Sequence, residues 1–126
     1  MTTAAPVSCT AAPAALDAEK LQVYRVALDA HALAAELVPA DRRVLRDQLE
    51  RASLSVVLNI SEGTGRRSPK DKRRHYAIAR GSAMESAAAI DVIRRRGLAG
   101  AEECERVRAL YVRVVQMLTK LDAALG

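Results

Sequence analysis

The sequence predicts an all-α protein that folds as an antiparallel, up-down-up-down four-helix bundle. Apolar residues recur at helical spacing in four segments of the 126-residue chain, and no segment competes with an alternating strand pattern. Proline or glycine separates the segments, and such short connections favour antiparallel neighbours. The length indicates one domain, and its three aromatic side chains are all tyrosines. A core of Ala, Leu, Val and Ile is therefore expected.

The first sixteen residues differ in composition from the rest. Residues 1–16 are rich in Ala, Thr and Pro and carry no charged side chain, so we expect a disordered tail there and the bundle over residues 17–126. No secretory signal is predicted, and no stretch approaches the ~20 apolar residues of a membrane span. Cys9 and Cys104 form neither a metal-ligand spacing nor a disulfide framework, so we expect a cytoplasmic protein with reduced thiols.

The first helix is predicted from about Asp17 to Leu37, and Pro39 ends it. Its apolar stripe consists of Leu21, Tyr24, Leu28, His31 and Ala35. His31 is interpreted as a packing residue rather than a ligand, because no second His, Cys or carboxylate set accompanies it.

The second helix is predicted over Asp41 to Glu62, with one apolar face made of Leu45, Leu49, Ala52, Val56 and Ile60. A further stripe makes the helix nearly apolar all round, which predicts burial on several sides; it consists of Leu54, Val57 and Leu58. A polar strip interrupts this pattern at Arg51, Ser55, Asn59 and Glu62. Spacing alone leaves two interpretations open: a hydrogen-bonded strip facing another helix or subunit, or the solvent face.

A basic corner follows. Gly63-Thr64-Gly65 is predicted to end the second helix through a left-handed cap. Ser68 as N-cap, Pro69 at the first helical position and Asp71 three residues past the cap then begin a third helix. Its cations are Arg66, Arg67, Lys70, Lys72, Arg73 and Arg74. Against Asp71 they give this short segment a local charge of +5, which equals the net charge of the whole chain.

The third helix is predicted to continue to about Arg96, with an inward stripe of Tyr76, Ala79, Ala83, Ser86, Ile90 and Ile93. Gly81 inside it suggests that a neighbouring backbone comes close. Glu85 is expected to form a structural ion pair with Arg51. His75 is interpreted as a solvated neighbour of the basic corner rather than a catalytic base.

The last helix follows Gly100, with Glu102 and Glu103 in its first turn, where carboxylates suit the helix dipole. Its inward residues are predicted to be Val107, Leu110, Val114, Leu118, Leu121 and Leu125.

The centre of the chain carries a resemblance. The runs QLERASLSVVLNISEG, GRRSP and YAIARGSAMES resemble a bacterial four-helix-bundle family first noticed in intervening sequences of large-subunit ribosomal RNA genes. The matching positions are Gln48, Arg51, Ala52, Ser55, Asn59, Ile60, Glu62, Gly63, Arg66, Ser68, Tyr76, Ile78, Ala79, Gly81, Ser82 and Glu85. Ser61 and Tyr76 stand where Ala and Phe are commoner. The family includes relatives of the accessory protein of diversity-generating retroelements, a basic pentamer that works with a reverse transcriptase and nucleic acid.

These observations predict a non-enzymatic protein without metal or cofactor, because no catalytic set, metal cluster or phosphate-cradling loop is recognisable. Two functions remain open. In one, an oligomer, by resemblance a pentamer, binds RNA or DNA without sequence preference through the six corner cations. In the other, the oligomer is a scaffold whose corner meets an acidic partner protein, such as a reverse transcriptase subunit, or is merely solvated. No membrane partner is expected.

Overall fold

A computed structural model describes Ala18 and residues 21–126 of the chain, and four helices account for most of these residues. The helices are α1 (Gln22–Ala34), α2 (Arg43–Gly65), α3 (Pro69–Arg95) and α4 (Ala101–Leu125). The tail over residues 1–16 and the predicted helix start at Asp17 lie outside the described residues. The all-α prediction is confirmed: the described part of the chain contains no strand.

The four helices pack side by side as a bundle, and the hydrogen-bonded pairs show that α3 is antiparallel to both α2 and α4. Contacts join α1 to α2, α2 to α3, α3 to α4 and α4 back to α1. Between α2 and α3 the residue numbers of bonded pairs run in opposite directions, as the pairs Gln48–Glu85, Ser55–Ser82 and Asn59–His75 show. The residue numbers of bonded pairs between α3 and α4 also run in opposite directions, as shown by Asp91–Arg108, Arg80–Thr119 and Arg73–Asp122. The C-terminus of α2 and the N-terminus of α3 therefore share one end of the bundle.

The core is built from small and branched side chains, with tyrosine at two positions. The inward stripe of α3 is confirmed at all six predicted positions, which are buried. In α4 the buried residues are Cys104, Val107, Tyr111, Val114 and Leu118, whereas Leu110, Leu121 and Leu125 are only partly covered. Burial raises the pKa of the Cys104 thiol, so this cysteine is held as a neutral thiol in the core.

The predicted stripe of α1 is confirmed only in part: Leu21 and Tyr24 are half-buried against the core, but two other members are not. The buried residues of this helix are Val23, Val26, Ala27, Ala30 and Ala34, whereas Leu28 is 40% exposed and Ala35 is also exposed. Three of these five buried residues are alanines, so α1 packs against its neighbours mainly through small side chains. The larger Leu28 of the predicted stripe lies outward instead. His31 is half-buried and its Nδ1 lies 2.7 Å from the Ser53 hydroxyl of α2, which agrees with a packing role.

Two further predictions are wrong for a single chain: the burial of α2 on several sides and the close approach of a backbone to Gly81. In α2, the residues Leu49, Ala52, Val56 and Ile60 are buried, but Leu54 and Leu58 are 42% and 56% exposed. Val57 of the second stripe is buried, but the helix has neighbours on two sides only, so Leu54 and Leu58 of that stripe face outward. Gly81 is also exposed, and a Cβ at this position would meet no atom within 4 Å. Among residues 21–126, no backbone outside its own helix comes within 4 Å of that Cβ position.

Candidate nucleic-acid interface

The basic corner is the connection between α2 and α3. The Ser68 hydroxyl accepts a hydrogen bond from the Asp71 backbone N–H at 3.0 Å, and Pro69 occupies the first helical position. This is the N-cap that the sequence predicts, and it fixes the direction in which α3 leaves the corner. Only three residues separate the helices, so the cations of both helix ends lie at one end of the bundle.

The corner does not end α2 in the predicted way. The helix continues through Gly65, the cap residue Arg66 is extended, and among the described residues only Gly97 has a positive φ, of 69°. Gly63 is required for a different reason: a Cβ there would lie 2.9 Å from Cε1 of Tyr76 and 3.0 Å from the Cβ of His75. The absence of a side chain at Gly63 lets α3 lie close to the last turn of α2.

Three of the six corner cations are engaged within the chain. Arg66 forms an ion pair with Glu62 at 2.6 Å, and Arg73 forms one with Asp122 of α4 at 3.1 Å. The Lys72 ammonium donates to the backbone carbonyls of Thr64 at 2.9 Å and Gly63 at 3.4 Å. Lys72 therefore satisfies carbonyls at the C-terminus of α2 that the helix leaves without an intrahelical donor.

The other three cations are Arg67, Lys70 and Arg74, and all three are exposed. Within the described part of the chain they make no hydrogen bond or ion pair. Asp71 is the nearest carboxylate in sequence and is itself exposed. The corner thus presents a smaller set of available positive charges than the sequence indicates, because half of the predicted set stabilises the fold.

The polar strip of α2 divides into an inner and an outer part. The inner part faces α3, where the Ser55 hydroxyl lies 2.8 Å from that of Ser82. Asn59 donates to the Ser55 carbonyl at 3.0 Å, and its Oδ1 lies 3.0 Å from Nδ1 of His75. The outer part, Arg51 and Glu62, is exposed. Ser55 and Asn59 thus form a hydrogen-bonded strip facing another helix, whereas Arg51 and Glu62 lie on the solvent face of the single chain.

The expected ion pair between Arg51 and Glu85 is wrong for the single chain. Glu85 accepts a hydrogen bond from the amide of Gln48 on α2, one turn before Arg51. Arg51 makes no hydrogen bond or ion pair in the part of the chain that the structure describes. The register of the two helices brings Gln48 opposite Glu85, and periodicity within one helix cannot predict that register.

The sequence-based site missed two residues behind the corner. His75 was expected to be solvated, but it is 8% exposed and packs under the corner against Asn59. Tyr76 is 5% exposed and its hydroxyl lies 3.1 Å from that of Thr64. The inward phase of α3, which correctly predicts that Tyr76 is buried, could also have found His75, because His75 lies one turn before the buried Ala79.

The described residues contain no group of three or more His, Cys, Asp or Glu residues arranged to hold a metal ion. None of the described helices is long and apolar enough to cross a membrane.

Two comparisons with known proteins bear on the family of this chain. A search among curated proteins found no match. The family model described as "23S rRNA-intervening sequence protein" matches residues 19–120 of the 126, a span that begins just before α1 and ends near the C-terminus of α4. The chain therefore belongs to the 23S rRNA-intervening sequence protein family.

Proposed function

We propose that this protein is a non-enzymatic accessory protein that binds RNA or DNA electrostatically, without sequence preference, at the corner between α2 and α3. The observation that carries the proposal is a cluster of exposed cations that have no carboxylate partner among the described residues, namely Arg67, Lys70 and Arg74. Phosphates of a nucleic-acid backbone are the ligands that such a cluster neutralises.

The chemistry of the corner favours backbone contacts over base recognition. Tyr76, the only aromatic residue near the corner, is 5% exposed and its hydroxyl contacts Thr64, so it offers no exposed ring for base stacking. Each phosphate neutralised on duplex DNA contributes about −0.9 to the slope of log K against log salt. Three available cations per subunit predict a slope of roughly −2.7, and about −2.1 on single strands.

The test is a filter-binding or anisotropy titration with mixed RNA and DNA at several salt concentrations. The variant carries Arg67→Glu, Lys70→Glu and Arg74→Glu, and its matched control carries Arg42→Glu, Arg43→Glu and Arg106→Glu. Both variants lower the formal net charge by six, from +5 to −1. Only the corner variant should lose binding.

Two results would contradict this proposal. Equal loss in both variants would mean that net charge alone drives association. If the wild-type protein retains no nucleic acid at ~50 mM salt, the corner is solvated or docks an acidic protein, and the scaffold function replaces the nucleic-acid function.

We further propose that the chain self-assembles, as a ring of five by its family resemblance, through the outer faces of α2 and α3. These faces expose Leu54, Leu58 and Ile78 at 42%, 56% and 41%, beside the bare backbone of Gly81. Arg51 lies on the same side of α2 as Leu58 and has no partner within the described chain. A carboxylate of a neighbouring subunit would supply one.

Light scattering coupled to size exclusion tests this assembly. We expect the wild-type protein to elute as a closed oligomer, and Leu58→Lys and Arg51→Ala to weaken it. Exposed single substitutions usually change the fold stability by less than about 0.5 kcal/mol, so Arg51→Ala and Arg43→Ala should melt alike as monomers. A wild-type monomer at tens of micromolar protein would refute the assembly.

A further inference from the structure

A pocket of about 250 Å³ lies between α3 and α4, beside the basic corner. Its lining consists of Tyr76, Ala77 and Arg80 from α3 and Leu118, Thr119 and Asp122 from α4. Asp122 is also the ion-pair partner of the corner residue Arg73, at 3.1 Å, so the pocket adjoins the corner. Arg80 is the cation of this lining, and it is not one of the six corner cations.

The Thr119 hydroxyl holds the Arg80 side chain in place. Its oxygen accepts a hydrogen bond from Nε of Arg80 at 2.9 Å, and its proton is donated to the Val115 carbonyl at 2.8 Å. The bond to Thr119 uses one of the five N–H groups of the guanidinium. The two Nη atoms of Arg80 make no hydrogen bond or ion pair among residues 21–126, so they are available as donors at the pocket.

The pocket carries a surplus positive charge. Asp122 is the carboxylate of its lining, and the Arg73 guanidinium already neutralises it. In the described part of the chain, no ion pair joins Arg80 to a carboxylate. The planar N–H groups of a guanidinium match two oxygens of a phosphate, as they would match those of a carboxylate. The ligand that this pocket favours is therefore an anion with paired oxygens.

The position of Arg80 on α3 continues the row of corner cations. Lys70, Arg74, Ala77 and Arg80 follow one another at steps of four, three and three residues, so they lie along one side of the helix. All four are exposed, and the small side chain of Ala77 leaves the surface open between Arg74 and Arg80. Lys70 and Arg80 are ten positions apart, which at 1.5 Å per residue gives about 15 Å. One strand of duplex DNA carries about four phosphates over that length.

We propose that a phosphodiester of the bound nucleic acid occupies this pocket, held by the two Nη atoms of Arg80, so that the nucleic-acid backbone runs from the corner along α3. The inference rests on the proposed nucleic-acid function and adds a fourth phosphate contact to the three at the corner. Thr119 is a positioning residue, because its proton is already donated to the Val115 carbonyl. The corner alone predicts a slope of log K against log salt of roughly −2.7 on duplex DNA, and the fourth contact makes the slope about −3.6.

The first test is Arg80→Gln in an anisotropy titration with a mixed-sequence DNA duplex at several salt concentrations. Its matched control is Arg95→Gln, which removes an exposed cation of the same helix fifteen residues further on. Arg80→Gln should weaken binding about tenfold at ~50 mM salt and reduce the slope to about −2.7, whereas Arg95→Gln should leave the slope near −3.6. An unchanged slope in Arg80→Gln, or an equal loss of affinity in both variants, would overturn the proposal.

Variants of Thr119 distinguish a positioned guanidinium from a loose surface charge. Thr119→Val removes the acceptor for Nε of Arg80 but no charge, so it should weaken binding about threefold and leave the salt slope unchanged. Thr119→Ser keeps the hydroxyl and should bind as the wild type does. Both Arg80 and Thr119 are exposed, so the variants should fold, and circular dichroism checks this. If Thr119→Val binds as tightly as the wild type, the pocket does not position Arg80 and the proposal is wrong.

The outcomes also separate this inference from the proposed function. If binding has a slope near −2.7, is lost in the corner variant and is kept in Arg80→Gln, the corner binds nucleic acid and the pocket does not. If the wild-type protein retains no nucleic acid at ~50 mM salt, both the proposed function and this inference are wrong.

Discussion

Gly63→Ala should destabilise the protein, whereas Gly65→Ala, two residues on in the same helix, should not. At Gly63 the new methyl would meet Tyr76 Cε1 at 2.9 Å and His75 Cβ at 3.0 Å, closer than the 3.5–4.0 Å of ordinary carbon contacts. At Gly65 nothing lies within 4 Å. The two positions therefore carry the same chemical change in opposite surroundings.

The magnitude follows from what can move. The Tyr76 ring is 5% exposed and its hydroxyl is held by Thr64, while His75 is held by Asn59, so neither can retreat without losing a hydrogen bond. Overpacking typically costs about 1–3 kcal/mol, and replacing Gly by Ala inside a helix returns at most about 1 kcal/mol. We expect a net loss of about 1–2 kcal/mol for Gly63→Ala and a change between zero and a gain of about 1 kcal/mol for Gly65→Ala.

The assay is urea denaturation followed by far-ultraviolet circular dichroism, with thermal melting as a second measure. For a domain of this size, a difference of about 2 kcal/mol between the variants corresponds to roughly 6–12 °C in Tm. Tyr76→Leu removes the clashing ring edge, so the penalty of Gly63→Ala should shrink in that background. The reasoning would be refuted if Gly63→Ala were as stable as Gly65→Ala.

Other perturbations test other parts of the structure. Gly81→Ala should raise the melting temperature of dilute monomer by the equivalent of up to about 1 kcal/mol, and a fall would reveal a backbone packed on Gly81. Lys72→Gln should cost about 0.5–1.5 kcal/mol through lost bonds to the Thr64 carbonyl, whereas Lys70→Gln should be neutral in urea denaturation. Burial raises the pKa of Tyr111 from its usual 10 to about 12, so its stabilising contribution should be complete below pH 10 and be lost as pH rises through 12. Tyr111→Phe should remove that loss of stability at alkaline pH. It should leave the stability at neutral pH equal or higher, because the hydroxyl is buried without a hydrogen-bond partner among the described residues. Thermal melts across pH check this, and a large fall in the melting temperature of the variant at neutral pH would contradict it.

Tyr111 reports on the polar atoms at the buried centre of the bundle. Its ring is fully buried, and the neighbouring Ser53 and Ser86 hydroxyls oppose the rise in its pKa although neither forms a hydrogen bond of ordinary geometry with it. Ser53 instead lies 2.7 Å from Nδ1 of His31, and Ser86 donates to the Ser82 carbonyl at 2.9 Å. Each helix thus contributes polar atoms to the core.

The order of residues along the chain predicts the fold class, the limits of α2, α3 and α4 to within a few residues, and the inward stripe of α3. It also determined the Ser68 cap and the existence of a basic corner. These features depend on the order of residues along one helix or one turn, where the period of the backbone fixes which side chains share a face. The apolar stripe of α2 was predicted for the same reason.

Which cations of the corner are available depends on how the helices pack. Whether Arg73 meets Asp122, or Lys72 caps the carbonyl of Thr64, depends on the register and distance between helices far apart in sequence. Because of the same register, Glu85 accepts a hydrogen bond from Gln48 rather than pairing with Arg51. Gly63, predicted as a left-handed helix cap, is instead the position where α3 packs closely against α2. Periodicity fixes a residue's direction from its own helix axis, but the neighbour it meets is set by how the helices pack against each other.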